Sequence, residues 1–246
     1  MGVFQELERQ ERQYLKERAE HLASQVYQAK IKLCGLSRQC EIEMANELAV
    51  DYIGFVFAPK SKRYVDPDKA RALKAKLSPK IQAVGVFVDA EPDFIESLYK
   101  DGIIDVVQLH GHEDELYIGH LRRALASCAC ERYEHQAQPK FPACPTIFKA
   151  FSVKTEADVS LAQASSADFV LLDAGAGGTG QSFNWELASH CTRPYFLAGG
   201  LGPHNVANAI AALHPYGVDV SSGIESEGLK DLDKMRAFVT GVRSAS

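Results

Sequence analysis

A chain of 246 residues that is 46% hydrophobic is long enough to bury one substantial core, and α/β barrels commonly reach this size as a single domain. Its net charge of −5, from 27 basic and 32 acidic side chains interleaved along the sequence, excludes the basic field that gathers nucleic acid or an anionic membrane surface. No apolar run reaches the roughly 18 residues of a membrane span and the N-terminus is charged rather than signal-like; the six cysteines lack both disulfide-scaffold density and CxxC pairing for zinc. A cytoplasmic protein with mostly free thiols is therefore expected.

In chain order, residues 1–29 are highly charged, with a thin apolar stripe of Phe4, Leu7, Leu15, Leu22 and Val26. They read as an N-terminal helical extension that packs over the rest of the fold or contacts a partner, packing being the plainer reading. From residue 30 short apolar runs predict strands at 31–34, 52–57, 82–87, 106–109, 147–150, 169–173, 195–198 and 218–221. Between and after them, apolar residues at three- and four-residue intervals predict helices at 41–48, 67–76, 93–100, 113–125, 157–164, 205–213 and 232–242. Eight strands alternating with helices point to a closed (β/α)8 TIM barrel over 30–246, since closure leaves no sheet edge exposed. An open doubly wound sheet is the alternative. Residues 127–145, with Cys128, Cys130, His135 and Cys144 among polar residues and prolines, read as a long surface loop, because CxC followed by a distant lone Cys does not have metal-ligand spacing.

In such a barrel the C-terminal strand ends and the loops after them carry the chemistry. Those ends are rich in reactive residues: Cys34–Gly35 after the first strand, Lys60, Ser61, Lys62 and Arg63 after the second, Gln108 and His110 at the fourth, and Asp173 at the sixth. Gly199–Gly200 after the seventh strand and Ser221, Ser222 and Gly223 after the eighth form two adjacent small-residue loops. There backbone N–H groups and hydroxyls are expected to hold a phosphate, as barrels commonly do at these strand ends, which a Cβ would keep away. Gly175–Gly180 after the sixth strand reads as a mobile flap over the ligand.

Taken one by one these residues have plain structural explanations: a buried thiol, a helix-capping aspartate, a surface arginine. Their order along the chain changes that. KLCGL (32–36), GFVFAPKSKRYV (54–65), VGVFVD (84–89), VQLHG (107–111), LLDAGAGGTG (171–180), LAGGL (197–201) and GVDVSSGIES (217–226) together resemble the phosphoribosylanthranilate isomerase family of tryptophan biosynthesis, over essentially everything after residue 30. The resemblance implies a cofactor-free Amadori rearrangement of N-(5-phosphoribosyl)anthranilate to 1-(2-carboxyphenylamino)-1-deoxyribulose 5-phosphate. It places the general base at Cys34, the general acid at Asp173 and the anthranilate-carboxylate anchor at Arg63, with His110 and Asp219 as pocket-lining, substrate-binding candidates. The expected partner is a small phosphorylated molecule, with no nucleic acid and no membrane, and the protein is a monomer or a homodimer. Two rivals are the histidine-pathway isomerase and a catalytically silent phosphate-binding barrel. The first looks for aspartates as both acid and base and for a second phosphate loop where this chain has the acidic stretch 87–92. The second would not need acid, base and carboxylate anchor together.

Overall fold

The computed structural model describes residues 28–133, 145–173 and 185–245. Eight parallel strands, β1 (Lys30–Cys34), β2 (Tyr52–Val56), β3 (Gln82–Phe87), β4 (Val106–Leu109), β5 (Thr146–Ser152), β6 (Phe169–Asp173), β7 (Tyr195–Ala198) and β8 (Gly217–Val220), pair in chain order and close into a barrel. Closure sets β8 against β1, with Lys32 opposite Asp219. The helices are α1 (Gln39–Glu47), α2 (Pro67–Lys74), α3 (Pro92–Lys100), α4 (Glu115–Tyr133), α5 (Glu156–Ala164), α6 (Trp185–Ser189), α7 (Val206–Leu213) and α8 (Leu232–Ala245).

The barrel follows from a period of two read on both faces. Outward residues such as Ile31, Leu33, Ile53, Phe55, Val170, Leu172 and Val218 meet Ile42, Leu73, Ile95, Leu121 and Phe238 from the helices in one continuous core. Inward residues include Tyr52, Phe148, Phe169 and Phe196, which with Tyr216 form an aromatic plug whose touching rings lie 4.6 to 5.9 Å apart. Tyr52 and Phe169 open their strands and Tyr216 immediately precedes β8, so the plug forms the floor and leaves the C-terminal rim for the site. Local signals start the helices. Asp66 caps α2 by accepting from the Lys69 N–H ahead of Pro67, and Thr155 with Asp158 forms a capping box on α5.

All eight predicted strands are present within two residues at each end. Two expectations are corrected, and further elements are added. The stretch 127–133, read as loop, is helix: α4 runs to Tyr133, because ALASCACERY consists largely of good or neutral helix formers that prolong the preceding helix. That helix also starts at Glu115 rather than 113, since Glu113 turns inward to a buried ion pair with Lys149 at 2.8 Å and accepts the Asp89 and Gly111 N–H groups. Finally, α6, a 3-10 turn (Ser222–Ile224) and a small hairpin, β9 (Glu225–Ser226) with β10 (Leu229–Lys230), were not expected. The expected N-terminal extension (all but its last two residues), His135, Cys144 and the expected flap at 175–180 lie outside the described residues.

Candidate active site

The rim holds a cavity of about 330 Å³, lined by residues from most of the strand ends. Of the site residues expected from sequence, Cys34, Arg63, His110, Asp173, Gly199, Gly200, Asp219, Ser221 and Ser222 all face it; Gly223 does not. A Cβ on Gly223 would lie 1.8 Å from the Leu201 carbonyl oxygen, so this glycine lets the loop after β8 pack on the loop after β7. Gly199 and Gly200 both adopt left-handed conformations, with φ of +81° and +66°. Side chains rarely tolerate two such residues in succession, and a Cβ added at Gly200 meets nothing within 4 Å. Backbone conformation selects glycine there, rather than crowding.

Cys34 ends β1 at 7% exposure, beside Val56 and Val86. Its Sγ fits because β2 carries glycine opposite: a Cβ on Gly54 would sit 2.8 Å from that sulfur. We expect Gly54→Ala to overpack this contact, costing about 1–3 kcal/mol and displacing the thiol; thermal unfolding and turnover both equal to those of the unaltered protein would contradict this. Burial pushes the Cys34 thiol above its ordinary range; Lys32 pulls it down, Asp219 pushes it up and Lys230 pulls it down again.

Three of the charges around the cavity went unrecognised in the sequence: Lys32, Glu225 and Lys230. Lys32 is fully buried and donates to Asp219 Oδ1 at 2.7 Å. Burial opposes its charge, but Asp219 and then Cys34 outweigh this and hold its pKa above the usual lysine value. Arg63, whose stem crosses Gly35, was expected to anchor the ligand's carboxylate, and it already has a carboxylate partner within the protein. Its Nε and Nη2 donate to the two Glu225 carboxylate oxygens at 2.5 and 2.8 Å. Lys230 donates to the same carboxylate at 2.6 Å, to the Ser221 carbonyl at 2.9 Å and to the Ser221 hydroxyl oxygen at 3.2 Å. Burial alone would raise the Glu225 carboxyl, but Arg63 and Lys230 overcome it and hold the group at about 2. One ionised carboxylate thus ties the arginine to the serine loop. The available sequence signal was alternation: Lys32 is two residues before Cys34 and so shares its inward face.

Across the cavity, His110 Nε2 lies 3.5 Å from Asp173 Oδ2, and Gln108 Nε2 lies 3.4 Å from His110 Nδ1. The buried Gln108 Oε1 has no protein partner among the described residues, and Gln108 lines the cavity. A thiol on β1 and a carboxyl on β6 thus share one chamber with a bidentate cation and a glycine–serine rim. Such a set suits proton transfer on an anionic sugar.

Residues 31–241 match the family model described as N-(5'-phosphoribosyl)anthranilate (PRA) isomerase. The chain belongs to this isomerase family. An N-(5'-phosphoribosyl)anthranilate isomerase from Endomicrobium trichonymphae is 42% identical over 219 residues, 87% of this chain and 98% of that relative. A crystal structure of a phosphoribosyl anthranilate isomerase in complex with reduced 1-(o-carboxyphenylamino)-1-deoxyribulose 5-phosphate is 34% identical, with a TM-score of 0.71 over 88% of this chain and 99% of that one. A crystal structure of mutually generated monomers of the dimeric phosphoribosylanthranilate isomerase from Thermotoga maritima is 33% identical, with a TM-score of 0.69 over 87% of this chain and 98% of that one. Among the described residues, no helix is long and apolar enough to cross a membrane, and no group of three or more His, Cys, Asp or Glu is arranged for a metal ion.

Proposed function

We propose that this isomerase rearranges N-(5-phosphoribosyl)anthranilate to 1-(2-carboxyphenylamino)-1-deoxyribulose 5-phosphate, with Asp173 as general acid, Cys34 as general base and Arg63 as carboxylate anchor. The phosphate is assigned to the loops carrying Gly199, Gly200, Ser221 and Ser222. The observation that carries the reading is that all of these open on one cavity in a chain of this family. Asp173 gives its proton to the ring oxygen as the nitrogen lone pair expels it, which opens the furanose and leaves an iminium ion. The Cys34 thiolate then takes the C2′ proton, and the C–H electrons form the C1′–C2′ double bond while the iminium π electrons return to nitrogen. The resulting enolamine tautomerises to the ketone.

The histidine-pathway alternative fits less well. Its second phosphate would fall near the loop after β3, where Asp89 already engages the backbone and ring of His112 and no glycine pair is present. Incubation with freshly generated substrate should deplete anthranilate-type fluorescence, and loss no faster than in buffer would overturn the isomerase reading. With Nε and Nη2 engaged by Glu225, the remaining guanidinium N–H donors serve the ligand carboxylate; Arg63→Lys keeps the charge but cannot serve both carboxylates at once, so KM should rise about tenfold or more with a smaller change in kcat, and an unchanged KM would remove Arg63 from the carboxylate site. A cytoplasmic monomer or homodimer, acting on a small phosphorylated molecule without nucleic acid or membrane, completes the reading. Light scattering distinguishes the two assemblies.

A further inference from the structure

A lysine in the middle of a barrel strand needs a reason. Lys32 is fully buried, and an ion pair at such depth generally stabilises no better than apolar packing would. It projects to the same side of β1 as Cys34, and closure of the barrel brings Asp219 of β8 level with it. An ammonium has three N–H donors. Asp219 Oδ1 takes one at 2.7 Å, and with Cys34 two residues further along the same inward face the ammonium favours the charged sulfur and the sulfur the charged ammonium.

We propose that Lys32 is the counter-ion of the Cys34 thiolate, held beneath the sulfur by Asp219. The proposal deepens the reading above and rests on Cys34 being the base. It makes Lys32 a positioning residue, since it acts on the sugar only through the sulfur.

The other groups facing the thiol do not fill this role. Lys230 of β10 and Arg63 after β2 share the single Glu225 carboxylate, which, held at about 2, stays ionised and leaves the trio one net positive charge, but Lys230 favours the thiolate less strongly than Lys32 does. β2 and β3 present Gly54, Val56 and Val86, which carry no charge. β6 presents Asp173 to the same cavity, an acid that offers the thiolate no positive charge. On β8, Asp219 opposes the thiolate, but more weakly than Lys32 favours it. When the thiolate takes the C2′ proton, the S–H bond forms and the negative charge leaves the sulfur. Lys32 and Asp219 remain a neutral pair, so the interior is left with no unbalanced charge.

The test follows the ionisation of the sulfur directly. Alkylation of Cys34 by iodoacetamide, read at the Cys34 peptide by mass spectrometry across pH, gives the thiol midpoint in the whole protein. Lys32→Met should raise that midpoint by about 1–3 pH units, which at a fixed pH below both midpoints means roughly 10- to 1000-fold less thiolate. Because Lys32→Met leaves Asp219 buried and unpaired, the neutral double variant Lys32→Met/Asp219→Asn is made beside it; its midpoint should also rise, by less. Asp219→Asn alone should lower it. A folded double variant with the unaltered midpoint overturns the counter-ion. The acid limb of kcat/KM separates the two layers. If it moves with the alkylation midpoint, base and counter-ion are both supported. If the midpoint moves and the limb stays, the counter-ion stands and Cys34 is not the base.

Discussion

Cys34→Ala is expected to lower kcat by about 100-fold or more while the protein remains folded, because a positioned base contributes roughly 10²–10⁴ to a proton transfer. The substitution is small. It removes one sulfur from a residue at the top of the barrel, bordered by the open cavity and by Val56 and Val86, so thermal unfolding should change little beside the loss of rate. Cys34→Ser sharpens the result: an alcohol of nearly the same size fills the space, yet it ionises far above the thiol range and cannot hold a populated anion. If packing alone mattered, the serine variant would restore turnover; as a base, it should stay as slow as alanine. Either variant turning over at the original rate, with circular dichroism unchanged, would remove the thiol from the proton-transfer step.

The strands were legible because both faces of a barrel strand are buried, which writes each as a short apolar run bounded by turn residues. FVLLD and YFLA could hardly be read otherwise. The proposed reacting residues were picked out by the order of motifs along the chain, and neither composition nor periodicity would have singled out Cys34 among six cysteines. Pairings across the closure were beyond that reach. Lys32 meets Asp219 187 positions away and Arg63 meets Glu225 162 positions away, and nothing local in KIKLC or SKRYV names these partners. Arg63 therefore read as a carboxylate anchor alone, and the chain of charge from Arg63 through Glu225 and Lys230 to Ser221 went unseen. The misplaced boundary of α4 has a different cause. Cysteines and a later proline suggested a loop, whereas an established helix carries on through neutral residues until something stops it.

Asp173→Asn is expected to cost at least as much as loss of the base, because ring opening precedes deprotonation and without it no C2′ proton becomes acidic. The carboxamide keeps the shape and still meets His110 but has no proton of suitable acidity to give to the ring oxygen. An aspartic acid ordinarily titrates near pH 3.9, so the acid role requires the bound sugar to supply a proton-retaining environment: two ligand anions and an aromatic ring displacing water both disfavour a second negative charge in the chamber. His110 Nε2 lies 3.5 Å from Asp173 Oδ2. The decisive measurement is kcat for Asp173→Asn beside Asp173→Glu, with binding of a reduced product analogue as the control. Loss of about 100-fold or more in kcat, with analogue affinity retained in the asparagine variant, places the defect in proton delivery. If analogue affinity falls in parallel with kcat, Asp173 is instead a binding residue and the proton must come from another group on the rim.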